Sequence, residues 1–130
     1  MQPNTYKEER ELDARIAEKV LHARVEWEKN TPYIVHDDQK TFSNENIVPN
    51  YCTSIGPAMS LAMELRRQGF KIEILMDEHG IAITAWDKDG NELMKHENII
   101  SKFAWYMCNI ALIAVGEERR RGPDRRKQAL

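Results

Sequence analysis

The chain has 130 residues, of which 42% are hydrophobic and 31% charged, with a net charge of −2 at pH 7. This length fits one domain that buries its own core without disulfides or a metal ion. The balance of charge gives no global argument for nucleic-acid binding. Because Cys52 and Cys108 lie far apart in the sequence, we expect two reduced thiols rather than a disulfide.

The N-terminal segment and the longest apolar run indicate where in the cell the protein is located. The first 16 residues are polar and acidic, so we expect no signal peptide. The longest apolar run, Phe103 to Val115, is too short to span a bilayer and contains Asn109. We therefore expect a soluble, cytoplasmic protein that does not bind membranes.

A first helix is predicted from Thr5 to Glu28. Thr5 followed by Glu8 matches a capping box, in which each side chain satisfies a free backbone amide of the other residue. Four apolar residues then recur at helical spacing and form one stripe: Leu12, Ile16, Val20 and Leu21.

Residues 30–50 are predicted to be largely loop, with a short strand at Tyr33 to Val35. The segment from 40 to 50 is rich in asparagine and serine, as is typical of loops. Long loops in small domains are often functional, so this one is a candidate binding segment.

A second helix is predicted after the segment VPNYCTS, which begins at Val48. Thr53 or Ser54 is the expected N-cap, and Pro57 suits the first helical turn. Gly69 is expected to adopt a left-handed conformation just past the helix end. The predicted buried stripe consists of Ala58, Leu61, Ala62 and Leu65.

Three strands and a last helix follow. Alternating apolar residues predict strands from Phe70 to Met76, Ile81 to Trp86 and Asn91 to His96. Asp87 to Gly90 suits a hairpin turn, and the last helix is predicted from Glu97 to Gly116. The predicted fold is α+β in the order α-(β)-α-β-β-β-α, with about three antiparallel strands and helices on both sheet faces, an α/β/α sandwich.

The predicted last helix is apolar on nearly all sides from Phe103 onward, so something must cover all of it. One hypothesis is a homodimer interface on this helix, formed by Trp105, Tyr106, Met107 and Ile110. The alternative is that the first helix or the long loop covers it within one chain.

The final segment, residues 117–130, has six basic and three acidic residues. Its net charge is therefore +3, which leaves −5 for residues 1–116. Because it lacks apolar periodicity and contains Gly122 and Pro123, we expect a single domain over residues 1–116 and a disordered basic tail.

No arrangement of residues predicts catalysis or a metal site. A thiol near a helix N-terminus, such as Cys52, can have a lowered pKa, but no spacing selects a histidine base for it. The histidines and cysteines show no metal-ligand spacing, and no glycine-rich phosphate loop is present. We expect a non-enzymatic protein with no metal and no cofactor.

The segment before the second helix is a candidate binding site, because a helix N-terminus presents free amides to an anion. The candidate ligand- or partner-binding residues are Tyr51, Thr53, Ser54, Arg66 and Trp86. The alternative is that these residues merely cap the helix and pack.

Three stretches resemble the phage ABA-sandwich proteins: ELDARIAEKVL followed by a tryptophan, VPNYCTSIGPAMSLAMELRRQGF, and FAWYMCNIALIAV. The resemblance covers roughly residues 10 to 115. The chain departs from the pattern at His22-Ala23, where a Met-Gly-like corner would precede the tryptophan. The resemblance implies a small phage or prophage protein with helices on both faces of an antiparallel sheet.

Such a protein is expected to act in the host cytoplasm by binding a host protein or a small anionic ligand, in a host-modulating or anti-defence role. The alternative function is nucleic-acid binding, because helix, three strands, helix is also the order of double-stranded-RNA-binding domains. The apolar last helix disfavours it, since such a domain would carry lysines there, and the basic tail would give weak phosphate contacts.

Overall fold

A computed structural model describes residues 6–36, 42–99 and 102–116. The predicted cap at Thr5 and the predicted tail from residue 117 onward lie outside these residues. The described elements, in chain order, are α1 (Tyr6–Lys19), β1 (Arg24–Glu28), β2 (Thr31–Val35), a short 3-10 turn (Asn44–Asn46), α2 (Ile55–Arg67), β3 (Lys71–Asp77), β4 (Gly80–Trp86), β5 (Glu92–Ile99) and α3 (Phe103–Ala114). The α+β class is confirmed.

The first helix is shorter than predicted, because α1 ends at Lys19 and a strand begins at Arg24. The chain turns at His22, whose φ of 58° is left-handed, a conformation that glycine adopts more easily. The new strand pairs antiparallel with β2, from Arg24 opposite Val35 to Glu28 opposite Thr31. This pairing, which the helical periodicity does not reveal, makes the last five residues of the predicted helix a strand.

The three-stranded sheet has the order β3-β4-β5 and is antiparallel throughout. At the predicted turn, Gly90 has a φ of 87°, and the Asp87 carboxylate accepts hydrogen bonds from the amides of Asp89 and Asn91, each at 2.9 Å. A register shift lets β5 continue until Ile99 pairs with Ile81. Strand pairing therefore occupies residues 97 to 99, which were predicted to begin the last helix.

The helices are distributed differently from the expected sandwich. α2 and α3 pack directly against each other, and both contact the three-stranded sheet. Helices in direct contact have axes about 8–10 Å apart, which leaves no room for a sheet between them. Both helices therefore lie on one face of the sheet, and no described helix contacts its other face.

The remaining layer, formed by α1 and the β1–β2 hairpin, packs on α3, and among the described residues α1 makes no contact with the three-stranded sheet. α1 contacts α3 and both strands of the β1–β2 hairpin. Ile16 of α1 and Val20, directly after its end, are fully buried, as are Met107 and Ile110 of α3. The first helix thus covers part of α3 within one chain.

Candidate functional site

The segment before α2 is held against α1 by a buried ion pair that sequence reasoning missed. Arg10 Nη1 donates to Asp13 Oδ2 at 2.7 Å, and both side chains are almost completely buried. The same guanidinium donates to the carbonyl of Val48 and to Asn50 Oδ1, each at 2.6 Å. The other oxygen of Asp13 accepts from the amide of Cys52 at 2.9 Å.

A signal for this pair was present in the sequence. Asp13 lies three and four residues before Ile16 and Ala17, so it falls on the apolar stripe of the helix rather than on its charged face. Arg10 lies three residues before Asp13 on the same side. A charge within an apolar stripe is buried only when a partner satisfies it.

This environment makes Cys52 a poor nucleophile. Burial is the main cause that raises the pKa of its thiol, and the nearby Asp13 carboxylate raises it further. Sγ donates to the carbonyl of Glu9 at 3.4 Å. The lowered pKa considered for a cysteine near a helix N-terminus is therefore not found, because burial and Asp13 outweigh any effect of the helix.

Tyr51 is also part of the core. It is 6% exposed, and burial followed by the negative charges of neighbouring groups raises the pKa of its phenol to about 12. Burial likewise raises the thiol pKa of Cys108, which is a free cysteine like Cys52. Tyr51 and Cys52 therefore anchor the segment before α2 and do not line an open site.

The other predicted site residues lie in different places. Thr53 is exposed, and Ser54 is the N-cap of α2 without a side-chain hydrogen bond to the helix. Arg66 lies at the opposite end of α2, about 17 Å away along the helix axis at 1.5 Å per residue. Trp86 belongs to the sheet and lies on its open face. The five residues do not form one pocket.

The open face of the three-stranded sheet gathers side chains from all three strands. Lys71 and Trp86 are opposite each other on β3 and β4, and Lys71 Nζ lies 4.6 Å from the centroid of the Trp86 ring. Thr84 pairs with Glu73 on one side and Lys95 on the other. Leu75 on the same face is 57% exposed, so the face combines an aromatic, an aliphatic and charges of both signs.

The predicted interface residues on α3 divide into two groups. Met107 and Ile110 are fully buried in one chain, so no partner can reach them. Trp105 and Tyr106 are partly buried, their ring centroids are 5.0 Å apart, and Tyr106 lies 4.7 Å from the ring of His96. Burial lowers the pKa of His96.

Two further observations concern metal binding and anion binding. Within the described ranges, no three histidine, cysteine, aspartate or glutamate side chains come close enough together to hold a metal ion. A shallow cleft of about 440 Å³ opens where the ends of α1, α2 and α3 approach the β4–β5 turn. Lys19 and Lys88 line it together with Asp87 and Asp89, so its charges are mixed and do not favour an anion.

None of the described helices is both long and apolar enough to cross a membrane.

Comparison with known proteins relates the fold, but not the sequence, to a solved structure. The chain is similar to a phage protein from Bacillus cereus, with a TM-score of 0.55 over 88% of this chain and 93% of that one. Sequence identity is 18%, so the similarity shows a shared fold alone. No protein-family model and no curated protein matches the sequence.

Proposed function

We propose that this chain is a small phage or prophage protein that acts by binding a host protein through the open face of its three-stranded sheet. The proposed origin is supported by the fold shared with a phage protein and by the resemblance of three sequence stretches to phage ABA-sandwich proteins. The proposed role is host modulation or anti-defence, without catalysis.

The observation that carries the binding role is the sheet face that no described helix covers. Small antiparallel sheets can leave one face to solvent, but that face is then usually polar. Here it presents the Trp86 ring beside Lys71, together with the exposed side chain of Leu75. Tryptophan is over-represented among the residues that dominate binding energy at protein interfaces.

The charges on this face favour a protein over a nucleic acid. Lys71 and Lys95 are accompanied by Glu73 and Glu92 on the same strands, so the face has no excess of positive charge for phosphates. α3 contains no lysine or arginine between Phe103 and Ala114. A protein partner with both apolar and charged groups is therefore the better match.

The test is affinity capture from host lysate with tagged wild-type protein and single variants. Trp86→Ala and Lys95→Glu alter the open face on β4 and β5, and we expect each to reduce recovery of the partner, Trp86→Ala by at least about tenfold. Trp27→Ala is the matched control, since Trp27 is an exposed tryptophan on β1 and should leave recovery unchanged.

Thermal unfolding of each variant shows whether it is folded. Equal recovery with all three variants would contradict the proposal. Recovery of nucleic acid in place of a protein would contradict it as well.

A further inference from the structure

Strand β3 is an edge strand whose outer side has no strand partner in the described parts of the chain. Its pairing with β4 is continuous from Lys71 opposite Trp86 to Asp77 opposite Gly80, without a bulge. It contains no proline. Edges of this kind readily pair with another strand, because a row of backbone donors and acceptors is left free.

The sequence of β3, KIEILMD, suits pairing with a second copy of itself. An antiparallel pair related by a two-fold axis at Ile74 places Lys71 of one copy opposite Asp77 of the other. Both residues point to the open face of the sheet, because they are an even number of positions apart. The two-fold axis creates this ion pair twice.

The same register also pairs apolar side chains on the helix-bearing face. Ile72 of one copy lies opposite Met76 of the other. Met76 is 71% exposed in a single chain, although it shares a face with the partly buried Ile72 and Ile74. Pairing would therefore cover the most exposed of the apolar side chains on β3.

Helix α2, which contacts β3, carries an exposed apolar flank consisting of Ile55, Met59 and Met63, which are 67%, 40% and 60% exposed. They lie one turn apart along the helix. On the opposite flank, Glu64 binds Gln68, which in turn donates to the Val20 carbonyl of the α1 layer. The apolar flank thus lies on the side of α2 opposite its contact with Val20.

We propose that two copies of this chain associate through β3, forming one continuous six-stranded antiparallel sheet with the two α2 flanks meeting above the seam. The charge complementarity of Lys71 and Asp77 favours a second copy over an unrelated peptide. This interface lies on β3 and α2, not on α3. It needs no host partner to form, although Lys71 and Leu75 of β3 belong both to this seam and to the open face.

Analytical ultracentrifugation of charge variants tests the interface. Wild-type protein should form dimers at micromolar concentration. Lys71→Glu and Asp77→Lys should each raise the dissociation constant at least about tenfold, because each brings like charges together twice. The double variant K71E/D77K should return it to within about threefold of wild type. Lys95→Glu, on β5, is the control that should leave it unchanged.

The double variant distinguishes a weakened interface between two copies from the loss of contacts within one chain. Lys71 also contacts Trp86, and Asp77 Oδ1 accepts from the amide of His79 at 2.8 Å. Loss of those contacts would not be rescued by exchanging the charges. A monomeric wild type, or a dimer that neither single variant weakens, would overturn the proposal.

Cross-linking tests the register. In the proposed pairing Glu73 lies opposite Leu75 of the second copy, with Cα atoms about 4.5–5.5 Å apart, which suits a disulfide. Glu73→Cys and Leu75→Cys mixed under mild oxidation should give a disulfide-linked dimer, and either variant alone should give much less. The native cysteines are buried. An equal yield with and without mixing would overturn this register.

Discussion

The guanidinium of Arg10 and the carboxylate of Asp13 form a 2.7 Å ion pair in the protein interior, one helical turn apart on α1. Around this pair the chain before α2 is fixed, since Arg10 also binds Val48 and Asn50, and Asp13 binds the Cys52 amide. The pair thus connects two segments about 40 positions apart in the sequence.

Arg10→Met and Asp13→Leu should each lower the free energy of unfolding by about 3–5 kcal/mol, because each leaves the other charge buried without its partner. The double variant should lose clearly less than the sum of the two, since no charge then remains unpaired. Urea unfolding of the three variants measures this difference. Lys7→Met is a control at an exposed position of α1 and should change the value by less than about 1 kcal/mol. Additive losses would contradict a direct coupling of the two charges.

Stability should fall at alkaline pH partly because of Tyr51. Its pKa is raised to about 12 from the ordinary value of 10, so the unfolded chain loses this proton first as pH rises. The free energy of unfolding should therefore decrease between pH 10 and 12, by about 3 kcal/mol from this residue. Denaturant unfolding of wild type and Tyr51→Phe at both ends of this range should show that wild type loses about 3 kcal/mol more stability than the variant. An equal loss of stability in the two proteins would show that Tyr51 titrates alike in the folded and unfolded states.

The two thiols should resist modification in the folded protein. Burial raises the pKa of both Cys52 and Cys108, and the thiolate is the reactive form. With a chromogenic disulfide reagent at neutral pH, both should react at least about tenfold more slowly than free cysteine. In denaturant two thiols per chain should react rapidly, which serves as the control. Fast reaction of Cys52 in the native state would instead indicate an activated thiol.

Replacing either of two glycines in or next to α2 by alanine should change the free energy of unfolding, but in opposite directions. Gly69 has a φ of 106°, and an added Cβ would lie 3.2 Å from the Lys88 side chain. Gly69→Ala should therefore lower the free energy of unfolding by about 1–2 kcal/mol. Gly56 is helical and has open space around it, so Gly56→Ala should raise stability by up to about 1 kcal/mol. The same denaturant titration checks both, and a stabilising Gly69→Ala would contradict the structure.

Elements whose signals are local were predicted from the amino-acid sequence alone. The α2 termini at Ser54 and Gly69 and the turn at Asp87 to Gly90 were predicted correctly. The helix ends depend on the conformational preferences of single residues, and the turn depends on hydrogen bonds between residues a few positions apart. A short stretch of sequence contains these signals. The α+β class followed from the same signals.

The tertiary structure decided what depends on contacts between distant residues. Pairing with β2 turned Arg24–Glu28 into a strand, and direct packing of α2 on α3 left one sheet face open. The Cys52 amide that donates to Asp13 lies 39 positions away in the sequence, so no periodicity of the helix could predict this contact. Sequence patterns show which side of an element is apolar, whereas the element that covers that side is chosen by packing across the whole chain.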